Sequence, residues 1–128
     1  MTDSMTITSG RLLVAIDVAK RSHDVLVRWP EGRRTRGLKI QNSREGFEKL
    51  TGLLLAQGIE VRAALEPTAD YHRSLAYWLA SNGVEVHLAS SLACARVREA
   101  MFNSWDKHDR KDARVIMYLL EHSMTAPF

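Results

Sequence analysis

Residues 11–17 read RLLVAID, an unbroken apolar run that ends on an acid. A strand with one wet face alternates apolar and polar residues; a run without alternation is how a strand buried on both faces reads. This one segment therefore predicts a covered, central strand and leaves Asp17 at its carboxyl end.

The remaining elements can be read around it. Residues 22–29 alternate through Val25 and Val27 and predict a second strand, closed by the turn signal Pro30-Glu31-Gly32. Residues 33–41 predict a third strand with Leu38 and Ile40 on one face. Asn42 is placed as a helix N-cap, with Glu45 three residues on in a capping-box arrangement. Phe47, Leu50 and Leu54 make the buried face of that helix, and Gly58 stops it. Residues 60–66 (EVRAALE) predict a fourth strand, again ending in an acid. A helix over 70–82 ends at Gly83, and residues 84–88 form a fifth strand. Ser90 or Ser91 caps a helix running to about Met101, and a last helix spans 109–122 with Val115, Ile116, Leu119 and Leu120 as its apolar stripe. Tyr71, Tyr77 and Trp78 are expected to pack rather than to stack on bases. An antiparallel meander followed by βα units must add parallel strands by crossovers. The order predicts an α/β, ribonuclease-H-like fold: a mixed five-stranded sheet flanked by helices.

Composition limits the function classes. The chain has 128 residues, enough for one domain with a real core. No apolar run approaches the roughly 18 residues of a membrane span. The polar N-terminus MTDSMTITSG is read as a disordered lead over 1–10 rather than a signal peptide. Cys94 is the single cysteine; it excludes an internal disulfide, fits a reducing, cytoplasmic setting, and sits among small apolar residues as a packing thiol. His23, His72, His87 and His122 have no metal-ligand spacing, and His108 is read as an exposed helix-start residue. There is no phosphate-binding glycine motif of the P-loop or dinucleotide type. Net charge is +3, yet basic residues cluster: Arg28, Arg33, Arg34, Arg36 and Lys39 in one stretch, and Lys107, Arg110, Lys111 and Arg114 in another. Such patches favour polyanions.

Asp17 and Glu66 each end a strand. In open α/β sheets ligands bind beyond the carboxyl ends of strands, so if these two strands are parallel neighbours both acids enter one crevice. Asp109 and Asp112, three residues apart, share a helix face near a helix start. Asp106 competes for the same role. Converging carboxylates repel, and a hard divalent cation with oxygen ligands relieves the repulsion. Two such ions about 4 Å apart suit cleavage of a phosphodiester.

Three segments, Ile16-Asp17-Val18-Ala19-Lys20, Glu66-Pro67-Thr68-Ala69-Asp70-Tyr71-His72 and Asp109-Arg110-Lys111-Asp112-Ala113, together resemble the DEDD transposases of insertion sequences, from about Arg11 to the chain end. The resemblance implies an N-terminal RuvC-like catalytic domain over 11–128 that acts in DNA transposition and recombination, with Asp17, Glu66, Asp109 and Asp112 as catalytic, metal-binding residues for Mg²⁺ or Mn²⁺. Asp106 lies outside the Asp-x-x-Asp-Ala pattern. The resemblance further implies DNA as substrate, a structured guide RNA as partner, a homo-oligomer, and a serine nucleophile on a separate C-terminal domain. No such domain follows here, so the chain is expected to be incomplete alone. Lys20, Arg28, Arg33, Arg34, Arg36 and Lys111 are candidates for nucleic-acid backbone contacts. The family commonly has Gly where this chain has Ala69. If that site needs a left-handed backbone, alanine costs on the order of 1–2 kcal/mol. Two other readings fit the residues: a stand-alone structure-specific nuclease of the RuvC type, and a non-catalytic nucleic-acid-binding or regulatory fragment. An actin-like nucleotide-binding domain ranks last, because its phosphate loops need more glycines than follow Asp17.

Overall fold

The computed structural model describes residues 10–31, 34–102 and 109–128, and only the backbone path of residues 102 and 109–111. The chain runs β1 (Leu12–Asp17), β2 (Ser22–Arg28), β3 (Thr35–Gln41), α1 (Arg44–Leu55), β4 (Val61–Leu65), α2 (Arg73–Ser81), β5 (Glu85–Leu88), α3 (Ser91–Phe102), α4 (Asp109–Glu121) and β6 (Ala126–Pro127). The strands form one six-stranded sheet in the order β3-β2-β1-β4-β5-β6. β1 is antiparallel to β2 and parallel to β4, with Ile16 opposite Val25 and Leu65. This is the mixed sheet the element order predicts, with β1 in its interior.

The sheet has one strand more than expected. Ala126–Pro127 lies antiparallel to β5, held by the Phe128 N–H to the Val86 carbonyl (2.9 Å) and by His87 Nδ1 to Thr125 Oγ1 (2.8 Å). Two residues, one of them proline, carry no strand signature, but proline is tolerated at a sheet edge.

Side-chain alternation sorts the strands into two cores. Leu12, Val14 and Ile16 of β1, Val25 and Val27 of β2, and Val61, Ala63 and Leu65 of β4 pack with Phe47, Leu50 and Leu54 of α1 and Leu75 and Leu79 of α2. The alternate residues Leu13 and Ala15, Leu26, and Ala64 pack with Cys94, Val115, Ile116, Leu119 and Leu120 on α3 and α4. Ala15 and Ala64 are fully buried. Their small side chains in mid-sheet let α4 approach the strands closely, which sets the height of the α4 N-terminus over the strand ends.

Several local expectations are corrected. The N-cap of α1 is Ser43, not Asn42: its hydroxyl accepts from the Gly46 N–H at 3.1 Å. The third strand begins at Thr35 rather than 33, and α2 begins at Arg73 after a turn rather than at 70. Trp78 packs against the core as expected, but Tyr77 is 61 % exposed and meets Phe128 edge-on, and Tyr71 is also exposed. The expected lead over 1–10 lies outside the described residues apart from Gly10.

Candidate active site

Asp17 closes β1 and Glu66 directly follows β4. Because Ile16 and Leu65 are register partners in the parallel pair, the two acids come at the same level. Alternation sends them to the same face: Leu13, Ala15 and Asp17 alternate with the residues of the first core, as do Ala64 and Glu66. That face is the one covered by α3 and α4. α4 runs antiparallel to β1, since its last residue Glu121 forms an ion pair with Arg28 at the far end of β2. Its first turn, with Asp112, therefore lies over the strand ends that bear Asp17 and Glu66. Asp109 is the first residue of α4, three residues before Asp112, and its side chain lies outside the described residues. Lys111 lies in the same turn under the same limit, and Asp106, Lys107, His108 and Arg33 lie outside the described residues.

Two further charged residues complete the cluster, and sequence reading missed both. Arg98 of α3 points its guanidinium between the acids, with Nε and Nη2 each 2.8 Å from Asp112 Oδ1 and Nη2 3.8 Å from Glu66 Oε1. Asp24 lies directly across the β1–β2 ladder from Asp17 and pairs with Lys39 Nζ at 3.6 Å. A hairpin register counted back from Val25 and Val27 would have found Asp24. No sequence spacing announces Arg98.

The electrostatics follow from this crowding. Burial pushes the Asp17 carboxyl up to about 7, and Asp112, Asp24 and Glu66 add to the rise, while Arg98 opposes it. The Cys94 thiol, buried one helical turn before Arg98, is pushed up to about 12 by burial first and by Glu66 next, so it is an inert packing group as the sequence suggested. The turn after Asp17 is pinned from two sides. The Ala19 N–H donates to His23 Nδ1 at 3.1 Å, and Asn42 Nδ2 donates to the Lys20 carbonyl at 2.8 Å. Asn42 thus clamps this turn instead of capping α1. Burial holds the His23 imidazole below its ordinary pKa, which keeps Nδ1 free to accept. Lys20 stays exposed beside the acids.

The loop after Glu66 is a tight turn. The Tyr71 N–H donates to the Thr68 carbonyl at 3.1 Å, and Ala69 at its second position has φ +48°. The left-handed backbone anticipated at Ala69 is present in a residue with a Cβ.

The candidate backbone-contact residues fall in two places. Lys20 and Lys111 belong to the acid end. Arg28, Arg34 and Arg36 lie at the opposite end of the sheet, some four residues or roughly 13 Å along the strands, because Arg28 opposes Leu13 and Arg36 opposes Val27. Arg28 is engaged by Glu121, Arg34 stacks on Trp29 at 4.1 Å, and Arg36 is exposed.

Asp17, Glu66 and Asp112 offer only hard oxygen donors, and burial first and the neighbouring acids next raise Asp17, so the donor set suits a divalent cation. Among the described residues no three acids, histidines or cysteines close on a common point; Glu66 and Asp112 close on the Arg98 guanidinium instead. No helix among the described residues is long and apolar enough to cross a membrane.

Comparison with solved structures finds Thermus thermophilus RuvC bound to a Holliday junction substrate (14 % identity, 92 % of this chain and 99 % of that chain, TM-score 0.56). A second Thermus thermophilus RuvC structure is similar (13 % identity, 91 % and 99 %, TM-score 0.57). These likenesses establish the RuvC-like, ribonuclease-H-like fold. No curated protein matches significantly. A family model described as transposase, of the DEDD type named for IS110, matches residues 14–127. Because the match spans nearly the whole chain, the chain belongs to the IS110-type DEDD transposase family.

Proposed function

We propose that this chain is the metal-dependent catalytic domain of a transposase, which cuts and rejoins DNA together with a C-terminal domain that carries a serine nucleophile. The observation that carries the reading is the arrival of Asp17, Glu66 and Asp112, from three separate parts of the chain, at one end of the sheet, where Glu66 and Asp112 share the Arg98 guanidinium. The transposase family and the RuvC-like fold support it.

Asp17, Glu66, Asp109 and Asp112 would hold the divalent metal through their carboxylate oxygens. Bound Mg²⁺ or Mn²⁺ would supply Lewis acidity toward a phosphodiester oxygen. The residues then do the rest. Asp17, whose pKa is raised to about 7 by burial first and by the neighbouring acids next, would ionise as positive charge arrives. The α4 N-terminus aims its dipole at the same point and favours anions there. Lys20, exposed just beyond Asp17, meets a backbone phosphate. Arg36 and Arg34, at the far end of the sheet, are placed for a longer nucleic-acid partner, DNA or a structured RNA.

A Mn²⁺ titration followed by NMR, with wild type against Asp17→Ala, tests this. Line broadening confined to the surroundings of Asp17, Glu66 and Asp112, and absent in the variant, is expected. Broadening that is uniform, or equal in the variant, overturns the metal-site reading. It would leave the nucleic-acid-binding fragment as the alternative.

A further inference from the structure

We propose that Arg98 is a resident counter-cation of the acid cluster, which a divalent metal must displace in order to bind. The proposal rests on the metal-dependent reading above and adds to it a residue that controls loading.

The geometry of the guanidinium supports a replaceable occupant. Arginine–carboxylate pairs are frequently bidentate, with two parallel bonds that add strength and fix the geometry. Arg98 instead sends Nε and Nη2 to the same oxygen, Asp112 Oδ1, both at 2.8 Å. Its reach to Glu66 Oε1 is loose, at 3.8 Å. The Arg98 side chain is 39 % exposed, so it has room to leave toward solvent without unpacking α3. Its neighbour one turn earlier, Cys94, is fully buried and holds the helix in place regardless.

The position is also the one a metal would need. Glu66 and Asp112 come from β4 and α4, which their ion pairs to Arg98 join across the crevice. An oxygen already accepting two charge-assisted bonds has little lone-pair density left for a cation. Metal and guanidinium therefore compete for Asp112 Oδ1, and like charges so close repel. Two consequences point in opposite directions. Arg98 stabilises the metal-free fold by balancing the acids, and it weakens metal binding by the same contacts. A residue that merely orients the acids would strengthen both.

The test is Mn²⁺ affinity by calorimetry and by electron paramagnetic resonance of free Mn²⁺, on the whole chain, for wild type, Arg98→Gln, Arg98→Lys and Asp17→Asn. Metal-free melting temperatures are measured alongside. Arg98→Gln is expected to bind Mn²⁺ about tenfold tighter, as fits removal of one half-exposed competing charge, and to melt lower without metal. Arg98→Lys, which retains the charge, is expected to stay near wild type. Arg98→Met retains the apolar stem and repeats the comparison if the glutamine variant does not fold. If wild type binds Mn²⁺ and removal of the charge leaves affinity equal or weaker, the inference is overturned and the metal reading stands. If neither wild type nor Arg98→Gln binds at millimolar Mn²⁺, the metal reading itself falls, and the inference with it.

Discussion

The fold raises the Asp17 carboxyl well above the ordinary carboxylate range, by burial first. An aspartate in the unfolded chain loses its proton near pH 4, whereas in the fold it holds the proton up to about 7. Between these values the folded state binds more protons at Asp17, so the stability contributed by this group is greatest below pH 4, falls as pH rises, and stays lower above 7. Asp17 should therefore lower the melting temperature of the metal-free chain more at pH 8 than at pH 5; His23, whose lowered pKa acts in the opposite sense, is common to wild type and Asp17→Asn and cancels in their comparison. Asp17→Asn should flatten the slope and stabilise the chain at pH 8 by roughly 1–2 kcal/mol, discounted for partial exposure; paired thermal melts at the two pH values check it. Ala69 is strained in a different way. At φ +48° its Cβ opposes the left-handed backbone. Ala69→Gly should stabilise the chain by about 1 kcal/mol in urea unfolding. This reverses the usual sense of such a change, because the relief of strain exceeds the added freedom of the unfolded chain.

At the scale of elements, the helices are tied to the sheet by close contacts that small residues permit. Gly46 sits in the first turn of α1, where an added Cβ would lie 2.9 Å from the Gln41 carbonyl carbon and closer still to its oxygen. Glycine to alanine inside a helix ordinarily stabilises by about 1 kcal/mol. Gly46→Ala is instead expected to destabilise by about 1–3 kcal/mol, as overpacking does, and denaturant unfolding against wild type shows the sign. The site depends on this junction indirectly. Gln41 ends β3, and its neighbour Asn42 clamps the turn beside Asp17 through the Lys20 carbonyl. On the opposite face, Ala15 and Ala64 play the corresponding part for α4. Reading the sequence correctly located α1 and α4, but it assigned Asn42 to the cap. Asn42 and Ser43 are adjacent and both competent caps, and only the path of the chain past Lys20 separates them.

At the scale of the whole molecule, the candidate metal site and part of the candidate nucleic-acid surface lie at opposite ends of the sheet. Acids gather at one end of the sheet, and Arg34 and Arg36 stand at the other. Nucleic acid laid along this surface should bind with an affinity that falls steeply with salt. A fall of tenfold or more between 50 and 200 mM salt fits several phosphate contacts, and Arg36→Glu should lower both affinity and slope in fluorescence anisotropy. An affinity indifferent to salt would remove these residues from the interface. The sequence alone determined the central strand, the places of Asp17 and Glu66 at strand ends and of Asp112 in the first turn of α4, and the mixed fold, because each rests on local periodicity or on a residue's place at an element's end. Tertiary structure decided the rest. Arg98 reaches Glu66 and Asp112 only because α3 packs beside α4, and Asp24 faces Asp17 only through hairpin register. The sixth strand exists because β5 leaves an open edge for Ala126–Pro127. Periodicity records which face of an element is buried, whereas the pairing of charges depends on how far apart two packed elements come to rest, and no local pattern encodes that distance.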